Sequence, residues 1–168
     1  MLLRPEIESQ LLEIPDGVAG TEATLDLMAR VVRTYRKNDE LRETARDIIA
    51  IVPNKGYAQE ARLLFYFVRD EIRYTRDPNG VEMIQTPDKT LALGHGDCDD
   101  MAVLLATLLE SVGHPTRFFA AGFFGDPISH VWTETLIGNR WFAMDPTESE
   151  LDFGQRPTGI GEHIVWNV

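Results

Sequence analysis

A single cysteine, Cys98, lies in the segment GHGDCDDMAVLL, residues 94–105, where an apolar run begins. The pattern predicts a helix that starts here, with Asp97 as its N-cap and Asp100 as the reciprocal acid of a capping box. Cys98 would then lie in the first turn, where unpaired backbone N–H groups and the helix dipole favour a thiolate. Because the neighbouring aspartates oppose ionisation, a nucleophilic Cys98 needs a histidine close by.

The chain has four histidines, at positions 95, 114, 130 and 163. The first is too close to the cysteine in sequence, the second lies in a turn, and the fourth lies in a glycine-rich tail. His130 lies in the strand pattern SHVWTETL. A two-residue hairpin turn at 138–139 would pair Ile137 with Arg140, which places His130 and Asp145 on one face, about 5–8 Å apart at Cβ. The three side chains therefore have a route to a thiol–imidazole–carboxylate relay.

The stretch from about Thr86 to Thr147 resembles the transglutaminase-like branch of the papain-like cysteine enzymes. The resemblance rests on four features in order: the GxGDCDD box, the helix ending LLESVGHPTRF, the HVW strand and the WxxxDPT strand. It implies a nucleophilic cysteine at a helix N-terminus with His and Asp on adjacent antiparallel strands. Those catalytic roles fall on Cys98, His130 and Asp145. The short chain is compatible with a small bacterial or phage member.

The resemblance implies acyl transfer on peptide or glutaminyl amides through a thioester. Water as acceptor would make the protein a peptidase or amidase, and a primary amine would make it a transglutaminase. Gln85 is a candidate second oxyanion donor on its chemistry alone, and Trp132 and Trp141 are candidate cleft walls or plain packing residues. The alternative is a non-catalytic transglutaminase-like module for binding or assembly. We expect a peptide or protein substrate, an amine acceptor in the case of transfer, and no cofactor.

A metal site is the other chemistry that this region could support, because the possible ligands His95, Asp97, Cys98, Asp99 and Asp100 are close together in sequence. Zinc usually takes more Cys or His ligands at separated spacings. Calcium loops present oxygen ligands in a regular array, which DCDD before an apolar helix does not provide. We therefore expect no metal.

The order of patterns predicts an α+β fold, in which the cysteine-bearing helix packs on an antiparallel sheet beside an N-terminal helical layer. Residues 1–20 are expected to form an arm, and residues 21–168 a single domain with a helical part, 21–75, and a catalytic core, 76–168. Residues 75–97 have no sustained periodicity and are predicted to be a long loop. Strands are predicted in TRFFAAGFF, SHVWTETLI and RWFAMD.

The chain of 168 residues has a net charge of −11, which argues against nucleic acid as a partner. Residues 77–168 hold 4 basic and 14 acidic residues, so this part would attract cationic ligands or simply remain well solvated. One cysteine cannot form an internal disulfide, and the N-terminal segment fits neither a signal peptide nor a membrane span. We therefore expect a cytoplasmic protein with no membrane partner; the sequence does not set its oligomeric state.

Overall fold

The fold is described by a computed structural model for residues 17–77 and 83–168. The helices are α1 (Val18–Tyr35), α2 (Asp39–Ile49), α3 (Tyr57–Glu71), α4 (Pro87–Leu93) and α5 (Cys98–Ser111). The strands are β1 (Arg73–Tyr74), β2 (His95–Gly96), β3 (Thr116–Phe123), β4 (His130–Ile137), β5 (Arg140–Met144) and β6 (Ile160–Asn167). Helices precede the main sheet, as the α+β prediction requires.

Helix α5 forms the centre of the molecule. All ten residues from Asp100 to Leu109 are buried. One side of the helix packs with α2 and α3, and another packs with α1 and the sheet. A helix that is apolar all round must be enclosed in this way. Since these ten residues are enclosed, the start of the helix at Cys98 has a fixed position relative to the sheet.

The main sheet is antiparallel, with the strand order β5-β4-β3-β6. The β4–β5 hairpin has the predicted register, because Ile137 pairs with Arg140 and the pairing continues to Thr133 and Met144. Gly138 has a φ of 65°, a conformation that glycine adopts at little cost. The predicted parity of the hairpin is therefore confirmed.

The three N-terminal helices form the predicted helical layer. Asn38 caps α2 by accepting a hydrogen bond from the Leu41 N–H at 3.0 Å. Of the predicted arm, residues 1–16 lie outside the described part of the chain, and α1 already begins at Val18. The division of the chain at residue 20 stays a prediction.

Two segments differ from the prediction. The stretch 75–97 is not a plain loop, because Pro87 starts α4 at a position where its missing N–H costs nothing, and Gly94, with a φ of 67°, ends it. The glycine-rich tail contains the eight-residue strand β6, which pairs with β3. Its Ile160, Ile164 and Trp166 pack against buried residues, and that tertiary contact outweighs the weak local preference.

A buried ion-pair network fixes the sheet face opposite α5. Glu134 on β4 has a fully buried side chain. Its Oε2 accepts hydrogen bonds from Arg117 Nε and Nη2 at 2.9 and 2.6 Å, and its Oε1 accepts from Arg156 Nε at 2.8 Å. Arg156 belongs to the segment that follows β5, so this network ties that segment to the sheet.

Among the helices that the structure describes, none combines the length and apolar character needed to cross a membrane.

Candidate active site

The capping box at the start of α5 is present as predicted. Asp97 Oδ1 accepts hydrogen bonds from the N–H groups of Asp99 and Asp100 at 3.0 and 3.1 Å. In return, Asp100 Oδ2 accepts from the Asp97 N–H at 3.2 Å. Cys98 is the first residue of the helix and the only free thiol.

Asp100 also holds the chain that leads into α4. Its Oδ1 accepts from the Gln85 backbone N–H at 2.7 Å and its Oδ2 from Gln85 Nε2 at 3.0 Å. Gly96 lies so close to Asp100 that a Cβ at this position would overlap the carboxylate side chain. The buried carboxylate therefore fixes Gln85 next to the start of the cysteine helix.

His130 and Asp145 form the pair that the hairpin register predicts. His130 Nε2 and Asp145 Oδ2 are 2.7 Å apart, and the Asp145 side chain is fully buried. Asp145 Oδ1 accepts from the Thr147 N–H at 3.1 Å and from its hydroxyl at 2.7 Å. With its two oxygens fixed by different partners, Asp145 can hold the imidazole in a single orientation.

The strand that carries His130 also meets the thiol. Val131, the next residue, contributes a backbone hydrogen bond to Cys98, and both side chains belong to one apolar cluster. Asp145 occupies His130 Nε2, so a second partner of the imidazole would have to bind Nδ1. The structure therefore brings the start of α5 to the start of β4.

Burial raises the pKa of the Cys98 thiol, and the charges of Asp99 and Asp97 raise it further; the Val131 hydrogen bond only partly offsets them. The thiol also donates to Asp99 Oδ1 across 3.7 Å. The opposition expected from the aspartates is therefore present, and desolvation adds to it, so the helix terminus alone does not favour the thiolate here.

The pKa of His130 is raised. Burial, the largest influence, lowers it, but the hydrogen bond and charge of Asp145, together with the charges of Glu148 and Asp99, outweigh burial. The environment of His130 thus favours the protonated imidazole, whereas that of Cys98 favours the protonated thiol.

Replacing Asp99 with Asn should accelerate alkylation of Cys98 several-fold at pH 7.5, because the change removes a nearby negative charge and the acceptor that holds the thiol proton. The measurement is the rate of iodoacetamide labelling by mass spectrometry between pH 6 and 10. Glu162→Gln, an exposed carboxylate on β6, is the matched control. A labelling rate in Asp99→Asn equal to that of the control would contradict the assignment.

The pH dependence of stability should contain a contribution from Asp97. Burial, followed by the charge of Asp100, raises the pKa of Asp97 from 3.8 to about 6. A raised carboxyl pKa means that the folded state binds the proton more tightly, so this contribution is lost as pH rises from about 4 to 6. At about 1.4 kcal/mol per pKa unit this approaches 3 kcal/mol, which partial exposure and screening reduce to about 1–2 kcal/mol.

Asp97→Asn keeps the capping oxygen without the charge. Its free energy of unfolding, measured with urea at pH 4, 5, 6 and 7, should rise relative to wild type by about 1–2 kcal/mol over this range. A constant difference between the two proteins across the range would refute the role given to Asp97.

A profile of the transglutaminase-like superfamily matches residues 42–146, which include the cysteine helix, the histidine strand and Asp145. The match spans more than half of the chain. The chain belongs to the transglutaminase-like superfamily.

Solved structures support the same fold. A Cytophaga hutchinsonii protein named "Putative Cysteine Protease" is 23% identical, with a TM-score of 0.54 over 67% of this chain, and this chain covers 38% of that one. Legionella pneumophila LapG is 16% identical, with a TM-score of 0.57 over 85% of this chain and 87% of LapG. A search of curated proteins finds no match. At these identities the likeness is one of fold, which is the predicted papain-like fold.

One further candidate residue, Gln85, lies close to the start of α5. Gln85 is held beside α5, but its Nε2 donates to Asp100, and its buried Oε1 has no partner among the described atoms. Its role as an oxyanion donor stays a prediction; its observed contact is with the capping carboxylate.

The two tryptophans lie in different places. Trp132 is fully buried and stacks on Phe119 at 4.7 Å, with its ring 5.9 Å from that of His130. It supports the imidazole from the core and is not an exposed cleft wall. Trp141 pairs with Leu136, six residues along β4 from His130 and so about 20 Å away. Trp141 is therefore too distant to line a cleft at His130, and it packs instead under Arg117.

Thr147 is the site residue that the sequence analysis did not single out as functional. The signal was present in DPT, because an aspartate often accepts hydrogen bonds from the residue two positions later. Within the described residues, no group of three or more His, Cys, Asp or Glu side chains could hold a metal ion.

Proposed function

We propose that the protein is a thiol enzyme that attacks amide carbonyls with Cys98 and forms a thioester. The observation that carries the proposal is the 2.7 Å pairing of His130 with buried Asp145, on a strand whose next residue contacts the thiol. A purely structural role would not require Asp145 to fix one ring nitrogen of His130 next to a strand residue that contacts Cys98.

His130 acts as the general base. Asp145 accepts the Nε2 proton, so Nδ1 carries the lone pair that takes the proton from the Cys98 thiol during attack. The raised pKa of His130 strengthens this base. After the tetrahedral intermediate forms, the imidazolium returns the proton to the departing amine, and the acyl group remains on sulfur.

The start of α5 supplies an oxyanion donor. Within the described part of the chain, the two capping carboxylates bind the N–H groups of Asp97, Asp99 and Asp100, and not that of Cys98. The Cys98 N–H is also the donor nearest to the sulfur, so it is placed to stabilise the oxygen of the intermediate. Gln85 would serve as the second donor if its amide turned from Asp100 to the substrate.

The acceptor of the acyl group decides between hydrolysis and transfer. The neighbour from Cytophaga is named for hydrolysis of peptides, and the superfamily name points to amine transfer. We propose a peptide or protein as the acyl donor for both reactions. A primary amine competes with water for the thioester only in the transfer reaction.

The test is a glutaminyl peptide library incubated with wild-type protein, with and without a primary amine, and analysed by mass spectrometry. Wild type should release acid alone as a hydrolase, or gain amine adducts as a transferase. Cys98→Ala should do neither. His163→Ala, which removes a histidine on β6, a strand that β3 separates from β4, should behave as wild type. Products that persist in Cys98→Ala would refute the proposal.

A second candidate is a non-catalytic module for binding or assembly. The observation that favours it is the raised pKa of the Cys98 thiol, since a protonated cysteine between carboxylates resembles an inert one. Alkylation separates the candidates. His130→Ala should slow labelling of a catalytic Cys98, whereas labelling of an inert thiol would be the same in both proteins.

A further inference from the structure

The loop between β3 and β4 begins with an aromatic side chain held in solvent. Phe124 is 83% exposed, and its φ of 53° lies in the left-handed region. A bulky residue rarely adopts this conformation, which costs on the order of 1–3 kcal/mol. Neither burial nor backbone preference explains a phenylalanine at this position.

The surrounding backbone fixes the Phe124 conformation. Its N–H donates to the Gly159 carbonyl at 2.8 Å, and a Cβ on Gly159 would overlap the aromatic ring. Gly122 is equally constrained, because the backbone of Asp126 and Pro127 fills the space that a side chain would need. The β3–β6 register shifts between Ala121 and Phe123, a bulge of the kind that redirects side chains next to active sites.

This loop leads directly to His130. The Ser129 N–H donates to the Ala121 carbonyl at 3.1 Å, and His130 follows as the first residue of β4. The Phe123 ring lies 6.2 Å from the His130 ring, and Phe123 pairs with Ile160 on β6. Phe123, Phe124 and Ile160 therefore form an apolar strip that starts at the imidazole and crosses the end of the sheet; we call it the rim strip.

The course of the reaction indicates which side of the substrate would contact the rim strip, namely the leaving-amine side. In acylation, the sulfur–carbon bond forms, the carbon–nitrogen bond breaks, and the leaving amine takes the proton from His130. The leaving segment must therefore pass over the imidazole, from which the rim strip extends. An extended peptide advances about 3.4 Å per residue, so its first residues after the scissile bond reach the strip.

We propose that the rim strip binds an apolar side chain within the first three residues on the leaving-amine side of the scissile amide, with Phe124 as the principal contact. The inference rests on the proposed thioester chemistry acting on a main-chain amide, since a glutaminyl side chain would release only ammonia, and it adds the substrate class. Burying one apolar side chain against an exposed aromatic ring should favour apolar over polar substrates about tenfold.

The test uses pairs of peptides that have either leucine or serine at one of the first three residues on the leaving-amine side of the scissile amide. The ratio of kcat/KM values should favour leucine about tenfold at one position in wild type, and should fall to about one in Phe124→Asn and Phe124→Gly. Both replacements suit a positive φ, so both should fold. Phe124→Tyr should retain the preference, and Ile51→Asn, at an equally exposed site (83%) on the helical part, should behave as wild type.

The outcomes separate the two proposals. Cleavage that depends on Cys98, with the same leucine-to-serine ratio in wild type and both Phe124 variants, overturns the rim strip and leaves the thioester chemistry standing. Amine transfer that depends on Cys98, without cleavage of any peptide, also overturns the rim strip and leaves the thioester chemistry standing. Reaction that Cys98→Ala retains, or neither cleavage nor transfer by wild type, overturns the proposed function and the rim strip with it.

Discussion

Replacing Asp145 with Asn is expected to lower kcat/KM about 10³–10⁴-fold, the loss expected when the supporting carboxylate of a catalytic triad is neutralised. The reason is specific to this site. The two Asp145 oxygens accept from different partners: Oδ1 from both donors of Thr147, and Oδ2 from His130 Nε2. An asparagine must turn its NH₂ group towards one of them.

If the asparagine NH₂ group faced Thr147, a donor would replace the oxygen that now accepts from the Thr147 N–H and hydroxyl. Turned towards His130, it would donate to Nε2 and move the ring proton to Nδ1, the nitrogen that must accept the thiol proton. The first orientation keeps an acceptor for His130 Nε2 but loses the hydrogen bonds from Thr147, and the second disables the base; either lowers activity while the fold stays in place. A smaller loss would follow if Thr147→Ala were combined with Asp145→Asn, because the first orientation then becomes less costly.

The measurement is turnover of a peptide that wild type cleaves and Cys98→Ala does not, with far-UV circular dichroism as the check on folding. Glu150→Gln makes the same change of charge on the exposed segment after Asp145 and should keep wild-type turnover. Asp145→Asn with at least one tenth of wild-type activity would refute the role given to the carboxylate.

Replacing Glu134 with Ala should lower the free energy of unfolding by about 3 kcal/mol, the low end of the cost of breaking a buried ion pair. Arg117 keeps only 19% of its side chain exposed and would lose its buried acceptor. Arg156, with 43% exposed, can turn to solvent, which limits the cost. The loss should appear as a lower urea midpoint at pH 7 with an unchanged slope.

Glu162→Ala removes an exposed carboxylate from β6 and should change the free energy of unfolding by less than about 0.5 kcal/mol. Because Arg156 ties the segment after β5 to Glu134, activity should also fall in Glu134→Ala. Equal stability of the two variants would show that the network contributes little to folding.

The sequence was sufficient to predict the capping box at Cys98 and the pairing of His130 with Asp145, because each depends on local geometry. The capping residues around Cys98 and the two-residue turn at 138–139 are short-range features, and the turn alone sets the parity that pairs His130 with Asp145. The order of helices and strands was likewise enough for the fold class.

The remaining features depend on contacts between segments that are distant in sequence. Strand β6 forms because β3 offers it an edge, and no pattern in residues 148–168 reveals that partner. The pKa of Cys98 depends on how deeply the start of α5 is buried, and the position of a residue in a helix does not predict its burial. The two alternatives for Trp141, cleft wall or packing residue, could not be separated for a similar reason. Residues on one face of a strand extend over a greater length than the site, and the structure favours packing.

The turn at 138–139 has a consequence for how related chains can diverge. Inserting or deleting one residue there would rotate every side chain of one strand to the other face, and would disconnect His130 from Asp145 without altering either. Two-residue changes would preserve the alternation of faces. Natural variants that keep the pairing of these two residues should therefore differ in the length of this hairpin in steps of two. This restricts which insertions and deletions the chain can inherit.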